Sequence, residues 1–398
     1  MHNLPSRFNE DIIKNCSSLI KWFNMCKPIA NMGLGPQVSN HDGMIQNKSW
    51  SWYLTNQFTL EIIFHNKMKN YKCLTNNSSL ASAIFVPFYA GLEIGRHLWD
   101  FNTSVRDAAS LDLIKWLTSK PEWKYMYGRD HFFIGGRISW DFRRQTDVDS
   151  DWGNKLLLLP EAKNMTMLSI ESSTIGENEL AIPYPSYFHP TSKREILEWQ
   201  ENILSKKRQY LYSFLGAPRP RTLHTIRDEI ISLCLNSFET CSFLNCNKAS
   251  VDCNEPFQVM KMLMNSIFCL QPAGDSYTRR SIFDSILAGC IPVFFHPKSA
   301  YEQYLWHFPK DYRKYSVFIR EDMVRNGKAN IDKILVEISE NEVLAMRKEV
   351  SDLIPNVIYG DPRIRLDDFD DAFDIAVKRM IERVDDVRKK MKANETNG

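Results

Sequence analysis

The chain has 398 residues, of which 43% are hydrophobic and 12% aromatic, and its formal net charge is +2. This length exceeds one ordinary core and predicts two domains of roughly 150–200 residues each. The charges are interspersed without a basic stripe, which argues against a nucleic-acid-binding protein, and no apolar run reaches the roughly 20 residues of a membrane span.

In the first half, short apolar runs alternate with helical patterns, which is typical of α/β structure. The pattern predicts a buried strand at 82–91 (SAIFVPFYAG), a helix at 104–120, a strand end at 125–128, a buried strand at 155–161 (KLLLLPE) and a polar helix at 192–205. Eight of the ten tryptophans fall within residues 1–152. The two halves therefore have different characters, as expected if each has its own task.

A strand at 210–221 (YLYSFLGAPRPR) opens the second half, and a charged pattern at 367–392 predicts a terminal helix packed along the molecule. We place the domains at 1–205, 206–365 and 366–398, the last being the helix and a polar tail. Alternating strands and helices predict parallel sheets in both large domains. The basic runs 206–208 and 388–392 are interpreted as solvated faces.

The most informative stretch is 266–295 (SIFCLQPAGDSYTRRSIFDSILAGCIPVFF), which has the pattern of a complete βαβ unit. An apolar strand is followed by a Pro-Ala-Gly turn and an amphipathic helix. Asp275 or Ser276 is the expected N-cap of that helix. Gly289 is expected to take the left-handed conformation after its last turn.

The loop of this unit has the composition of an anion site. Gly274 allows close approach to the backbone, the helix N-terminus offers free N–H groups, and Arg279 and Arg280 add charge. Asp284, further along the helix, is placed to accept hydrogen bonds from ribose hydroxyls. A nucleotide diphosphate fits this set, although an ordinary crossover with solvent-facing arginines would have the same spacing. Neither a GxGxxG motif nor a P-loop lysine is present.

A second basic turn, residues 216–221 (GAPRPR), follows the strand that opens this half. Loops at the carboxyl ends of parallel strands face the ligand crevice of open α/β sheets. Gly216 and Arg219 are therefore candidates to contact a leaving diphosphate. A proline-stiffened surface linker is the alternative.

The nine cysteines favour disulfides over a zinc site, because the cluster at 234, 241, 246 and 253 has no CxxC pair and no suitably spaced histidine. An odd cysteine is left free. Sequons begin at residues 15, 47, 76, 77, 102, 164 and 394. Together these features indicate the secretory pathway and a glycoprotein.

At several long strings the sequence resembles the exostosin-like glycosyltransferases of family 47, in particular the plant branch of xyloglucan galactosyltransferases. The strings are LPSRFN, FVPFYAGLEIGRHLW, GRDHFFIGGRISWDFRR, PYPSYFHP, SFLGAPRP and QPAGDSYTRRSIFDSILAGCIPVFF. They extend from the N-terminus to about residue 309. The resemblance implies a GT-B fold, in which two Rossmann-like domains face each other across a cleft.

The resemblance also implies an inverting glycosyltransferase that transfers galactose from UDP-galactose to xylosyl branches of xyloglucan during cell-wall synthesis. UDP-galacturonic acid or a UDP-pentose is an alternative donor, and a non-catalytic polysaccharide-binding partner in a Golgi complex is an alternative role. The protein would be a type II membrane protein of the Golgi lumen, with an anchor that this chain does not contain. It could assemble with other Golgi glycosyltransferases.

In this family Arg219 corresponds to the arginine of the turn that begins the second domain, and Asp284 to the acidic residue of the donor helix. We assign the first domain to the acceptor and the second to the nucleotide sugar. The predicted donor-binding residues are Gly216, Arg219, Gly274, Asp275, Ser276, Thr278, Arg279, Arg280 and Asp284.

Single displacement needs a base for the acceptor hydroxyl and positive charge for the departing UDP. Arginines and a helix N-terminus can supply that charge, so no metal or other cofactor is expected. Candidates for the base are Glu93, Asp130, His131 and Asp141, each of which could instead be a hydrogen-bonded structural residue. Candidate platforms for the sugar rings are Trp50, Trp52, Tyr89, Trp99 and Trp140, although large aromatic residues are often core residues.

Overall fold

The structure, a computed structural model, describes residues 1–38, 51–173, 178–219, 225–247 and 253–396. Two parallel sheets organise this part of the chain, and every neighbouring pair of strands is parallel. The first has the order β1-β2-β3-β4 and the second β6-β5-β7-β8-β9. The strands are β1 (Ile84–Phe85), β2 (His131–Ile138), β3 (Thr166–Glu171), β4 (Glu179–Ala181), β5 (Tyr210–Gly216), β6 (Cys241–Asn245), β7 (Ser266–Gln271), β8 (Ile291–Phe294) and β9 (Val317–Phe318).

Helices connect the strands, as parallel sheets require. They are α1 (Glu10–Lys14), α2 (Leu60–Lys69), α3 (Ala90–Gly95), α4 (Thr103–Thr118), α5 (Trp123–Met126), α6 (Lys193–Ser205), α7 (Arg227–Asn236), α8 (Pro256–Met264), α9 (Arg280–Leu287), α10 (Glu321–Arg325), α11 (Ile331–Val336), α12 (Glu340–Asp352), α13 (Ile354–Val357) and α14 (Ala372–Thr396). The predicted α/β class, with two Rossmann-like sheets facing a cleft as in the GT-B fold, is confirmed. The strands of the first sheet lie within 84–181 and those of the second within 210–318.

Two of the predicted elements differ in type from the structure. The run 155–161 was predicted to be a strand, but Leu156–Leu158 forms a 3-10 turn in which the N–H of Leu158 donates to the carbonyl of Lys155 at 2.8 Å. Residues 125–128 do not end a strand, because α5 ends there and Gly128 takes a positive φ of 85°. A Cβ at Gly128 would lie 2.3 Å from the ring of Trp123, so a glycine is required.

The predicted helices at 104–120 and 192–205 are α4 and α6, and the predicted terminal helix is α14. Asp371 begins α14 by accepting the N–H of Phe373 at 2.9 Å. The same carboxylate pairs with the buried Lys67 of α2 at 2.7 Å, and the ring of Phe373 contacts Phe64. The terminal helix therefore returns to pack against the first domain.

Strand order locates the crevice of the second domain. Across the second sheet the strands follow the order β6-β5-β7-β8-β9. The connection from β5 to β6 therefore runs toward one edge of the sheet, and the connection from β7 to β8 runs toward the other edge. Ligands of open parallel sheets bind outside the carboxyl ends of the strands at such a switch point. Strand β5 ends at Gly216 and β7 at Gln271, so the two loops singled out in the sequence meet there.

Candidate active site

A cleft of about 980 Å³ lies between the two sheets and is lined by residues of both domains. Many of the predicted site residues line it, although they are far apart in the sequence. They are Trp99, Trp140, Asp141, Gly216, Arg219, Gly274, Asp275, Ser276, Thr278, Arg279, Arg280 and Asp284. The cleft therefore joins the predicted donor loops to part of the predicted acceptor surface.

The second-domain side of the cleft carries a cluster of three arginines, Arg219, Arg227 and Arg279. Arg279 is partly buried, donates to the backbone carbonyl of Leu215 and has no carboxylate partner among the described residues. Burial lowers the pKa of Arg279 well below its ordinary value, and the charges of Arg227 and Arg219 lower it further. Burial, with repulsion from Arg219, also lowers the pKa of Arg227 to about 10.

One carboxylate compensates this cluster, since Asp275 pairs with Arg219 at 2.9 Å and is itself largely exposed. Three guanidinium groups with one carboxylate partner among the described residues leave excess positive charge in a partly desolvated cleft, and such a charge attracts an anion strongly. The cluster therefore has the electrostatics of a diphosphate site. Arg227 was not identified from the sequence, and its only signal was its position in the first turn of the helix after β5.

Two glycines allow the arginines to approach the main chain. A Cβ at Gly274 would lie 2.4 Å from Nη2 of Arg227, and one at Gly216 would lie 3.3 Å from Nη2 of Arg279. Arg227 uses this space to donate to the carbonyl of Ala273 at 2.9 Å. The small residues are needed because the charges pack directly on these turns.

The N-terminus of α9 differs from the sequence prediction. The helix begins at Arg280 with Arg279 as N-cap and without a capping side chain, whereas Asp275 or Ser276 was predicted. Asp275 instead binds Arg219, and the hydroxyl of Ser276 donates to Glu171 of the first domain at 2.7 Å. The predicted left-handed Gly289 is confirmed, with a φ of 61°.

Helix α9 also faces the first domain. The guanidinium of Arg280 lies 3.8 Å from the ring centroid of Tyr187 and donates to the carbonyl of Thr55 at 2.6 Å. Asp284 accepts the hydroxyl of Ser186 at 2.6 Å, and burial raises its pKa. Its other oxygen lies 3.5 Å from Nε of Arg280. Asp284 thus lies at the contact between the domains, with a partner at each carboxylate oxygen.

The first-domain side of the cleft is organised around Asp141. Its Oδ1 accepts the indole N–H of Trp152 at 2.6 Å, and its Oδ2 accepts Nη1 of Arg137 at 2.9 Å. Nη2 of Arg137 is buried and has no hydrogen-bond partner among the described residues. The carboxylate is therefore fixed by two donors next to the open space of the cleft.

Tryptophans form much of the same wall. Trp99 makes edge contacts with Trp22, at 4.2 Å between ring centroids, and with Trp152, at 5.2 Å. Trp140 is 69% exposed within the cleft. Trp22 and Trp152 were not predicted, although the concentration of tryptophan in residues 1–152 was a signal for them.

Other predicted residues lie away from the cleft. Asp130 and His131 stand at the amino end of β2, buried and hydrogen-bonded to each other at 2.7 Å. Because β2 begins at His131, the prediction that these residues follow a strand was wrong. The cleft opens at the opposite edge of the sheet. Glu93 is buried and pairs with Arg96 and His97. Burial would raise the pKa of Glu93, but those two partners bring it below its ordinary value.

Among the predicted platforms, Trp52 is a core residue packed on Phe188 and Trp199, and Tyr89 is buried with its hydroxyl against His65. Trp50 lies outside the described residues, as does the sequon at 47. The half-buried Trp99 and the exposed Trp140 remain as candidates, since both line the cleft.

A second cavity of about 720 Å³ adjoins the cleft through Gly274, Asp275 and Ser276. Its walls come from the ends of β7, β8 and β9 and include Tyr277 stacked on His296 at 4.3 Å, with Glu321 nearby. An aromatic surface beside the arginine cluster has the shape and chemistry that a nucleoside needs. These residues were not identified from the sequence.

Four disulfides are present, and the prediction of disulfides with one free cysteine is confirmed. They join Cys16 to Cys26, Cys234 to Cys241, Cys246 to Cys253 and Cys269 to Cys290, leaving Cys73 free and exposed. Within the described residues, no three acidic, histidine or cysteine side chains converge as a metal site would require. The same residues contain no helix of the length and apolarity needed to span a bilayer.

Comparison with known proteins gives extensive matches. The exostosin GT47 domain matches residues 1–335. A probable xyloglucan galactosyltransferase of Arabidopsis thaliana is 58% identical over 395 residues, which cover 98% of this chain and 77% of that protein. A xyloglucan galactosyltransferase of the same plant is 54% identical over 391 residues, covering 98% of this chain and 63% of that protein.

A xyloglucan-specific galacturonosyltransferase of Arabidopsis thaliana is 40% identical over 387 residues, covering 96% of this chain and 56% of that protein. Among solved structures, the GtfA/B complex aligns at a TM-score of 0.36 with 10% identity, over 70% of this chain and 61% of that one.

Proposed function

Because the chain belongs to the exostosin GT47 family of glycosyltransferases, we propose that it transfers galactose from UDP-galactose to xylosyl branches of xyloglucan. Two of its relatives are named xyloglucan galactosyltransferases, one of them as probable, which supports galactose as the transferred sugar and xyloglucan as the acceptor. The observation that carries the proposal is the arginine cluster Arg219, Arg227 and Arg279, which pairs with one carboxylate among the described residues and faces a wall of tryptophans.

In this mechanism the diphosphate binds the cluster and the nucleoside enters the cavity beside Tyr277 and His296. Asp141 takes the proton of the acceptor hydroxyl as its oxygen bonds to the anomeric carbon. The bond from that carbon to the β-phosphate oxygen breaks, and its electron pair leaves with UDP, which the arginines stabilise. Attack opposite the leaving group converts the α-linked donor into a β-glycoside.

The arginines fill the charge-stabilising role, so we propose that the reaction needs no metal. Transfer should then persist in excess EDTA. We also propose that the protein works in the Golgi lumen at the membrane, in contact with other glycosyltransferases, because four disulfides suit an oxidising compartment. The location of a tagged full-length protein in plant cells tests this.

A second donor, UDP-galacturonic acid, is favoured by one observation. Nη2 of Arg137 and Nη2 of Arg280 are buried cleft atoms with no hydrogen-bond partner among the described residues. Either could bind a uronic acid carboxylate. Incubating the protein with UDP-galactose, UDP-galacturonic acid and UDP-pentoses on xyloglucan oligosaccharides, and determining the anomeric configuration of the product, separates the donors. Transfer from none of them would favour a non-catalytic polysaccharide-binding role.

Trp140→Ala is expected to raise the KM for xyloglucan oligosaccharides about tenfold, since stacking on a sugar ring contributes on the order of 1 kcal/mol. The KM for UDP-galactose should not change. Steady-state kinetics with each substrate varied in turn measures both values.

Tyr125→Ala is the matched control, because Tyr125 is also 69% exposed but does not line the cleft. Equal effects of the two substitutions on the acceptor KM would remove Trp140 from the proposed acceptor surface.

A further inference from the structure

The loop that separates the arginine cluster from the nucleoside cavity is held by a residue of the other domain. Glu171 is the last residue of β3, at the carboxyl edge of the first sheet. Its Oε2 accepts the hydroxyl of Ser276 at 2.7 Å, the N–H of Thr278 at 2.8 Å and the hydroxyl of Thr278. A single carboxylate oxygen thus takes three hydrogen bonds from the donor loop.

The donor domain supplies few other contacts to this part of the loop. Within it, the N–H of Gly274 donates to the carbonyl of Ser276 at 2.8 Å, and Asp275 pairs with Arg219. The ring of Tyr277 also stacks on His296 of the donor domain at 4.3 Å. A further contact comes from the first domain, where the hydroxyl of Tyr184 lies 3.0 Å from that of Thr278. The positions of Ser276 and Thr278 therefore depend in part on the first domain being in place.

We propose that Glu171 is a positioning residue that holds residues 274–278 in the conformation that binds the donor. The inference rests on the proposed function. Hydrogen bonds to a charged group are the stronger kind, each contributing roughly 1.5–3 kcal/mol. Ordering the loop in advance removes part of the entropic cost of donor binding.

A consequence is coupling between donor binding and the contact of the two domains. If the Glu171 contact favours the donor, the donor must favour the Glu171 contact by the same factor. The cleft is therefore held closed around the bound donor by the same bonds that shape its loop.

The opposite role is also testable. The hydroxyls and N–H bound by Glu171 could serve an anionic donor directly, in which case the carboxylate would compete with it. The neighbouring arginine cluster, which has no carboxylate beyond Asp275 among the described residues, makes competition unnecessary for anion binding. The geometry therefore favours positioning over competition.

The test is Glu171→Gln, with UDP binding followed by titration calorimetry and transfer followed by steady-state kinetics. We expect the Kd for UDP and the KM for the UDP-sugar to rise about tenfold. The kcat should fall by less than about threefold, and the acceptor KM should not change. Glu171→Asp, which keeps the charge on a shorter side chain, should recover part of the affinity.

Glu179→Gln is the matched control, because Glu179 is a buried carboxylate on the adjacent strand β4. It binds the N–H of Ser173 and pairs with Arg143. Its substitution should leave the Kd for UDP within about twofold, even if it lowers the thermal stability. A drop in affinity equal to that of Glu171→Gln would reduce Glu171 to a general structural residue.

A double-mutant cycle with Thr278→Val isolates the contact. Removing the Thr278 hydroxyl should make the Glu171→Gln effect smaller, since the two groups share a hydrogen bond. Unchanged or tighter UDP binding by Glu171→Gln would overturn the inference, and tighter binding would establish competition. Failure of the unaltered protein to bind UDP would instead refute the proposed function.

Discussion

Replacing Arg279 by methionine is expected to lower kcat/KM for the UDP-sugar about a thousandfold. Loss of one preorganised group that stabilises developing charge reduces catalysis by roughly 100- to 1000-fold, and Arg279 lines the cleft directly before the first turn of α9. UDP affinity should fall as well, because the diphosphate carries its charge in the ground state. Calorimetric titration with UDP and initial-rate kinetics measure the two effects.

The same substitution should change the free energy of unfolding by less than about 1 kcal/mol. Methionine loses hydrogen bonds to the carbonyls of Leu215 and Pro272. The substitution also removes a charge that repels Arg227. Exchanging buried ionic groups for apolar ones of similar volume is often neutral or stabilising. Arg279 would therefore contribute to binding and catalysis but little to the free energy of unfolding.

Arg208→Met provides the contrast. Arg208 is also partly buried, and burial lowers its pKa to about 9. Its guanidinium, however, binds backbone carbonyls on several elements, including those of Met264 and Ala288. We expect its loss to lower the free energy of unfolding by roughly 3 kcal/mol, since buried carbonyls lose their donors, while kcat/KM per folded molecule is retained. Identical behaviour of the two variants would contradict a special role for Arg279.

Arg208 also shows where sequence reasoning failed. The basic run 206–208 was interpreted as a solvated face, but this arginine ties α6, α8 and the end of α9 together through their carbonyls. Charge alone does not show whether a long side chain finds buried acceptors. That depends on which helix ends converge, and convergence is set by the tertiary fold.

The proposed donor side of the cleft could be predicted because most of its residues lie close together in the sequence. Strand β7, the loop, α9 and β8 lie within residues 266–294, and the glycine, arginine and aspartate of that stretch are local signals. The strand order, which makes β5 and β7 neighbours, then brought Arg219 to the same place. In this stretch only the predicted start of α9 was wrong, because Asp275 pairs with Arg219 and Ser276 donates to Glu171 instead of capping the helix.

The proposed acceptor side of the cleft could not be predicted from the sequence in the same way. Its wall combines Trp22, Phe58, Trp99 and the stretch from 137 to 152, segments that no local pattern connects. Asp130 and His131 were predicted to lie at the carboxyl edge of the sheet because the run 125–128 (YMYG) resembles the end of a strand. The backbone there turns through the left-handed conformation at Tyr127 and Gly128, and the strand begins afterwards.

Of the four residues suggested as the base, Asp141 is the one that lines the cleft. Asp141→Asn is expected to lower kcat about a thousandfold, within the range for removal of a general base. UDP affinity should stay within about twofold, because the change lies on the acceptor side of the cleft. Asparagine keeps an oxygen for the indole N–H of Trp152 but cannot also accept from Arg137, since its second group is a donor.

The comparison that decides the assignment is Asp130→Asn, which alters a carboxylate at the amino end of β2. A base must reach the proton it removes, directly or through one water, and Asp130 lies at the edge of the sheet opposite the cleft. We therefore expect its kcat to fall by less than about threefold. If Asp141→Asn retained more than about a tenth of the original kcat while Asp130→Asn lost activity, proton removal would have to be reassigned to a group outside this cleft wall.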